Sequence, residues 1–152
     1  MNDATSLTDY VTFTCAGQMF GLPIGRVQDV FKPANITRVP LAGPEIAGVL
    51  NLRGRIVTAI NLGNRLDLPP RGDGKPPMAI GIESGAESFG LLVDAVGEVL
   101  KLPDGDREAN PINLDRKLAR MSAGVFRLED QLLVVLDVDR VLDLSGEMPV
   151  AA

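Results

Sequence analysis

The chain has 152 residues and a mass of 16.2 kDa, carries 15 basic against 20 acidic side chains for a net charge of −5, and contains no histidine, no tryptophan and one cysteine, Cys15. The acidic balance argues against counterion-driven binding to nucleic acid. The missing residue types exclude an internal disulfide, a Cys-cluster zinc site and the histidine bases of most hydrolases.

Residues 1–8 begin with MNDATSLT, which has no apolar core of a signal peptide, and read as a mobile tail. No stretch approaches the ~20 apolar residues of a membrane span, so a cytoplasmic protein without membrane insertion is expected. Tyr10 to Ala16 alternates, with Val11, Phe13 and Cys15 on one face, and predicts a half-buried strand. Gly17-Gln18 then turns the chain into a second strand, Met19 to Leu22. In Ile24 to Phe31 the apolar residues Ile24, Val27 and Val30/Phe31 fall at helical spacing between Pro23 and Lys32-Pro33, which predicts a short helix. Leu62 to Leu66 reads as one helical turn. The Pro/Gly-rich stretch 69–77 reads as a break, and the Arg-Gly-Asp inside it as chance. Beyond it, Met78 to Ser84 and Phe89 to Val93 form a hairpin around Ser84-Gly85-Ala86. A second break covers Pro103 to Pro111. Leu132 to Leu136 is an apolar run of strand length buried on both faces, and Val138 to Leu142 is another helical turn.

The second half repeats the first. At an offset of 69, Phe20-Gly21-Leu22 falls on Phe89-Gly90-Leu91, Val27 on Val96 and Val30 on Val99. At an offset of 76, Ala47-Gly48-Val49 falls on Ala123-Gly124-Val125, Leu52 on Leu128, and Leu66-Asp67-Leu68 on Leu142-Asp143-Leu144. Two equivalent modules of about 60–70 residues, each near the lower limit for an independent core, are expected to pack together. Short strands with many turns suit closed barrels, so the fold expected is all-β with short helical turns: two small barrels side by side.

The modules differ in charge. The tip of the second hairpin reads Asn51-Leu52-Arg53-Gly54-Arg55 in the first copy and Arg127-Leu128-Glu129-Asp130-Gln131 in the second. Residues 1–76 hold 8 basic and 6 acidic residues, and residues 77–152 hold 7 basic and 14 acidic. Ends of opposite charge favour head-to-tail association; free solvation of hairpin tips is the plainer reading.

Several runs of residues are distinctive. They are Ile36-Thr37-Arg38-Val39-Pro40 followed by Ile46-Ala47-Gly48-Val49-Leu50-Asn51-Leu52-Arg53-Gly54; Phe20-Gly21-Leu22-Pro23-Ile24 followed by Val27-Gln28-Asp29-Val30; and Gly90-Leu91-Leu92-Val93-Asp94 with Val96, Glu98 and Val99. Together they resemble the CheW-like family over about residues 9–146, in the family's order and with no room for a kinase or receiver domain, and leave 147–152 as a C-terminal tail. The resemblance implies two five-stranded SH3-like barrels. It implies a non-enzymatic adaptor without cofactor or metal, coupling the cytoplasmic tips of methyl-accepting chemoreceptors to the regulatory domain of a CheA-type histidine kinase, with contacts between like modules as well. A non-flagellar chemosensory pathway is the alternative, and a small barrel binding another ligand a weaker one.

The family resemblance assigns Val27, Asp29, Val30 and Arg53 to receptor binding, and Gly48, Arg55, Val99 and Gly124 to kinase binding. Core packing competes for Val27 and Val30, and a backbone requirement for Gly48, since Gly124 repeats it. Arg53 has no counterpart in the second module, where Glu129 stands, which argues for function. The sequence departs from the family pattern at Thr58 and Asn61, where proline and aspartate are usual; the second module keeps Asp137. Other chemistries have little support. Asp104, Asp106 and Glu108 lack calcium-loop spacing, Cys15 alternates with core residues, and six aromatics give no stacking platform for single-stranded nucleic acid.

Overall fold

The computed structural model describes residues 6–69 and 76–143. Ten strands run in chain order: β1 Leu7–Cys15, β2 Gln18–Pro23, β3 Val27–Phe31, β4 Ile46–Leu52, β5 Arg55–Asn61, β6 Met78–Ser84, β7 Glu87–Val93, β8 Ala95–Pro103, β9 Ser122–Arg127 and β10 Leu132–Leu136. Three short helices accompany them: α1 Leu62–Arg65 after β5, α2 Arg116–Met121 before β9, and α3 Val138–Leu142 after β10. β1 begins at Leu7, inside the expected tail. Leu144, the Arg-Gly-Asp and the C-terminal tail lie outside the described residues.

The strands form two five-stranded sheets, ordered β8-β1-β2-β10-β9 and β3-β6-β7-β5-β4. With β6–β10 taken as the repeats of β1–β5, both sheets have one order, and in each the leading hairpin comes from the other half of the repeat. The parallel pairs β2–β10 and β5–β7 join the halves. The modules of the repeat are therefore not the barrels. One barrel is continuous from Val27 to Val93 (the central barrel); the other combines β1–β2 with β8–β10 (the terminal barrel). The 69–77 stretch lies within the central barrel's run of chain, and the seams fall at Pro23–Val27 and Val93–Ala95. A strand's alternation specifies what it buries and leaves open which distant edge it joins.

Burial follows from this exchange. Successive side chains of a strand point to opposite faces, and here both faces are covered. Tyr10, Phe126, Leu133 and Val135 fill the terminal barrel, and Leu50, Val57, Ala59, Ala79 and Leu92 fill the central one. A much larger cluster lies between them, including Phe13, Phe20, Leu22, Ile60, Ile80, Ile82, Phe89, Leu91, Val134 and Leu136. The strand expected to be half-buried is thus buried on both faces from Tyr10 to Phe13. Tyr10 packs edge-on to Phe126 with ring centroids 5.4 Å apart. Burial pushes its phenol above the ordinary value, against the opposing pull of Arg107.

The helical expectation for Ile24–Phe31 is corrected: Ile24–Arg26 is a single 3-10 turn and Val27–Phe31 is strand β3, paired with β6. A bulge explains the misleading spacing. Val27 faces Ile82 while Asp29 already faces Gly81, so one extra residue returns Val30 to the face of Val27 and imitates a helical i, i+3 step. The one-turn helices α1 and α3 occur as expected. Asn61 and Asp137 cap them, each side-chain oxygen accepting from the backbone N–H three residues on. Asn61 thus keeps the capping role that its counterpart carboxylate performs. Behind α1, the buried Arg65 donates to the carbonyls of Arg140, Val141 and Asp143 at the end of α3, a cation on a helix C-terminus that ties the barrels together. Lys117–Asp67 is a further ion pair between the barrels, at 3.4 Å, and Arg26 in the connecting turn pairs with Asp139 on α3 at 3.2 Å.

Candidate interaction surfaces

The edge strands β3 and β8 are twins. On β8, Val96 faces Phe13 and Val99 faces Val11, so Gly97 and Glu98 together oppose Thr12, the same bulge as in β3. Gly97 leaves room for Thr12, whose hydroxyl donates to the carbonyl of Glu98 at 2.6 Å. In both copies the first valine, Val27 or Val96, packs against the shared core, and the second is exposed: Val30 at 40% and Val99 at 49%. Each barrel therefore carries an apolar strip leading from the seam outward along an unpaired strand edge. Val96 was not among the expected site residues, although the offset of 69 had already aligned it with Val27.

The β4–β5 tip explains the Asn-Leu-Arg-Gly run. Arg53 and Gly54 both have positive φ, +54° and +82°, as a two-residue hairpin turn of matching twist requires. Asn51 accepts from the Gly54 N–H at 2.9 Å and holds the turn. From this turn Arg53 reaches Asp29 on β3 at 3.5 Å, and Arg55 pairs with Glu83 on β6, which also accepts from Gln28. Gly81 leaves room for the Asp29 carboxylate where it stands, since a Cβ there would lie 2.2 Å from its oxygen. Beneath these pairs the mouth of the central barrel forms a cavity of about 200 Å³ floored by Phe31, Leu52, Val57, Ile82 and Phe89. Glu83 and Gly81 gave no signal in the sequence, because strand pairing alone brings them to the tip.

The structure brings Asp29 and Arg53 together and sets Arg55 on the same tip, whereas Val99 is the twin of Val30 on the other barrel. Gly48 and Gly124 are buried, with φ of +148° and +131°. A Cβ at Gly48 would lie 2.3 Å from the Thr37 carbonyl oxygen, and one at Gly124 3.0 Å from that of Glu108. Thr37 and Glu108 bridge to Val49 and Val125, so both glycines let a crossing segment close the barrel. Neither offers a surface of its own. Among the described residues no group of three or more acids and cysteine could hold a metal, and no helix is long and apolar enough to cross a membrane.

The family model of the CheW-like domain matches residues 9–145. The chemotaxis protein CheW of Thermotoga maritima is 26% identical over 141 residues, covering 93% of this chain and 91% of that protein. That of Bacillus subtilis is 28% identical over 133 residues, covering 88% and 85%. The crystal structure of the scaffolding protein TtCheW from Thermoanaerobacter tengcongensis superposes with a TM-score of 0.82 at 29% identity, over 93% of this chain and 91% of that one. Twin SH3-like barrels and an Asn-Leu-Arg-Gly hairpin tip agree with these matches: the chain belongs to the CheW-like family, as a chemotaxis scaffold protein of the CheW type and not an enzyme.

Proposed function

We propose that this chain is a cytoplasmic adaptor that couples chemoreceptors to a CheA-type histidine kinase and is recruited with them into membrane-associated arrays. The pair of bulged edge strands carries this reading. Two valine strips run outward from the seam between the barrels, and an apolar strip of this kind suits one face of an amphipathic helix, as a receptor's helical hairpin supplies. On this reading Val27 and Val30, with Asp29 and Arg53 at the polar margin, serve the receptor. Val99 and Arg55 serve the kinase's regulatory domain, while Gly48 and Gly124 contribute through the backbone path they fix. Pairing with the kinase combines an apolar centre with charges at the rim that steer approach.

The test is co-sedimentation of the purified chain with receptor cytoplasmic fragments and kinase. Binding to both is the expected result, with Val30→Asp reducing receptor binding at least tenfold and leaving kinase binding in place. Failure to bind either partner overturns the proposal.

A further inference from the structure

The two barrels share one plan and differ in their contents. Strand pairing fixes which residues are counterparts. Tyr10 lies between Leu100 and Pro23 as Ala79 lies between Phe31 and Leu92, and Phe126 faces Leu133 as Leu50 faces Val57. In the same register Val135 beside Gly21 matches Ala59 beside Gly90, and Met19 beside Leu133 matches Ser88 beside Val57. At each of these interior positions the central barrel has the smaller side chain: Ala79 for Tyr10, Leu50 for Phe126, Val57 for Leu133, Ala59 for Val135 and Ser88 for Met19. Phe31 for Leu100 and Leu92 for Pro23 return part of the difference. Protein interiors are close-packed, so a barrel short of this many atoms stays open. Val57 and Ser88 stand in the wall of the cavity of about 200 Å³ at the β4–β5 tip, where Leu133 and Met19 fill the terminal barrel.

The rims differ as well. Arg53 and Arg55 border the cavity together with one carboxylate, that of Asp29. Their counterparts in the terminal barrel are Glu129, Gln131 and Glu98, which supply no cation. Arg53 touches Asp29 through one nitrogen at 3.5 Å, and its side chain is 79% exposed. N–H donors of its planar fork are therefore open to a second carboxylate. Below the rim the lining is apolar. A dry cavity of about 150 Å³ lined by aliphatic and aromatic side chains takes up benzene, so this one has room for a single ring with a short substituent. Phe31 and Phe89 in its floor favour an aromatic guest, which adds ring–ring contacts that an aliphatic chain lacks.

We propose that the central barrel binds a small aromatic monocarboxylate, with the ring seated on the apolar floor and the carboxylate accepting from the guanidinium of Arg53 at the rim. The lining carries two cations and one carboxylate, so a ligand with a single negative charge balances it. The site needs neither receptor nor kinase and so stands apart from the function proposed above.

A methyl-resolved NMR titration of the purified full chain with phenylacetate tests the proposal. Saturable shifts are expected at the methyl groups of Leu52, Val57 and Ile82, with saturation in the millimolar range or below, as ligand efficiency allows for a molecule of this size. Phenylacetamide keeps the ring and lacks the charge, and should bind at least fivefold more weakly. Phenylacetate should lose as much on Arg53→Gln. The double variant Val57→Leu/Ser88→Met copies the filling of the terminal barrel and should remove binding while keeping the thermal midpoint. If that variant does not fold, the amide and Arg53→Gln decide the matter. Absence of saturable shifts with phenylacetate overturns the proposal. So do equal affinities for acid and amide, unchanged affinity in Arg53→Gln, shifts centred on Leu133 and Met19, or full binding by a folded Val57→Leu/Ser88→Met.

Discussion

The Nε of Arg65 donates at 2.9 Å to the carbonyl of Val141, the residue 76 positions on that occupies Arg65's own place in the repeat. Such a contact between a residue and its counterpart marks the pseudo-twofold axis, which passes between α1 and α3. The repeat is broken there by chemistry: one copy supplies a buried cation, the other a helix C-terminus that needs donors. The same axis relates the Asn61 N–H, which donates to the Glu45 carbonyl, to the Asp137 N–H, which donates to that of Met121, both at 2.7 Å.

Arg65→Ala removes the charged donor from all three carbonyls, although that of Arg140 also accepts from the Asp143 N–H. Hydrogen bonds to charged groups contribute about 1.5–3 kcal/mol net, and contributions within one network are not additive, so a loss of about 3 kcal/mol is expected. Arg65→Lys, which cannot span all three acceptors, should lose less. Urea unfolding measures both, and a loss below 1 kcal/mol in the alanine variant would show that water replaces the guanidinium.

Gly48→Ala and Gly124→Ala should differ in severity. The alanine Cβ at 48 meets backbone at 2.3 Å, while at 124 it meets a carbonyl and a movable arginine stem at 3.0 Å. Strain at such positions costs about 1–3 kcal/mol, and an immovable clash adds to it. Chemical denaturation should rank Gly48→Ala well below Gly124→Ala in stability.

Arg53→Glu separates folding from partner contact. The Arg53 side chain is 79% exposed, and loss of an exposed ion pair costs at most about 1 kcal/mol. The variant should melt close to wild type yet fail to assemble with receptor and kinase. An unfolded variant, or intact ternary assembly, would remove Arg53 from the contact surface.

Tyr10 gives a pH signature that one absorbance band can follow, because it is the sole tyrosine and there is no tryptophan. Burial raises its pKa in the folded state, so the folded protein holds the phenolic proton more tightly than the unfolded chain does. This stability is complete below the unfolded value of about 10 and is lost as pH rises through the folded value. Tyrosinate absorbance should appear later in the titration than for a free phenol and accompany unfolding.

The repeat, the hairpins, the one-turn helices and the Asn-Leu-Arg-Gly tip were legible because each is local. Asn51 and Gly54 announce a tight turn, and Leu132 to Leu136 announces a doubly buried strand, whatever lies around them. The exchange of hairpins was not legible, since the pairing of Phe20 with Val134 or of Thr58 with Phe89 joins distant edges that no short pattern encodes. Strand β3 was misread for another reason: its bulge turned a period of two into a step of three at Val27 and Val30. The Asp29–Arg53 pair was half legible, both residues having been singled out, but their contact depends on β3 lying against β6.

The crossing of the chain between barrels has a mechanical consequence. Each barrel is completed by two strands borrowed from the opposite half, and the largest group of buried side chains lies between them. Neither can swing or detach without being dismantled, so the molecule behaves as a rigid bracket with no elbow. Any body held by the central barrel is therefore kept at one set angle to a body held by the terminal barrel.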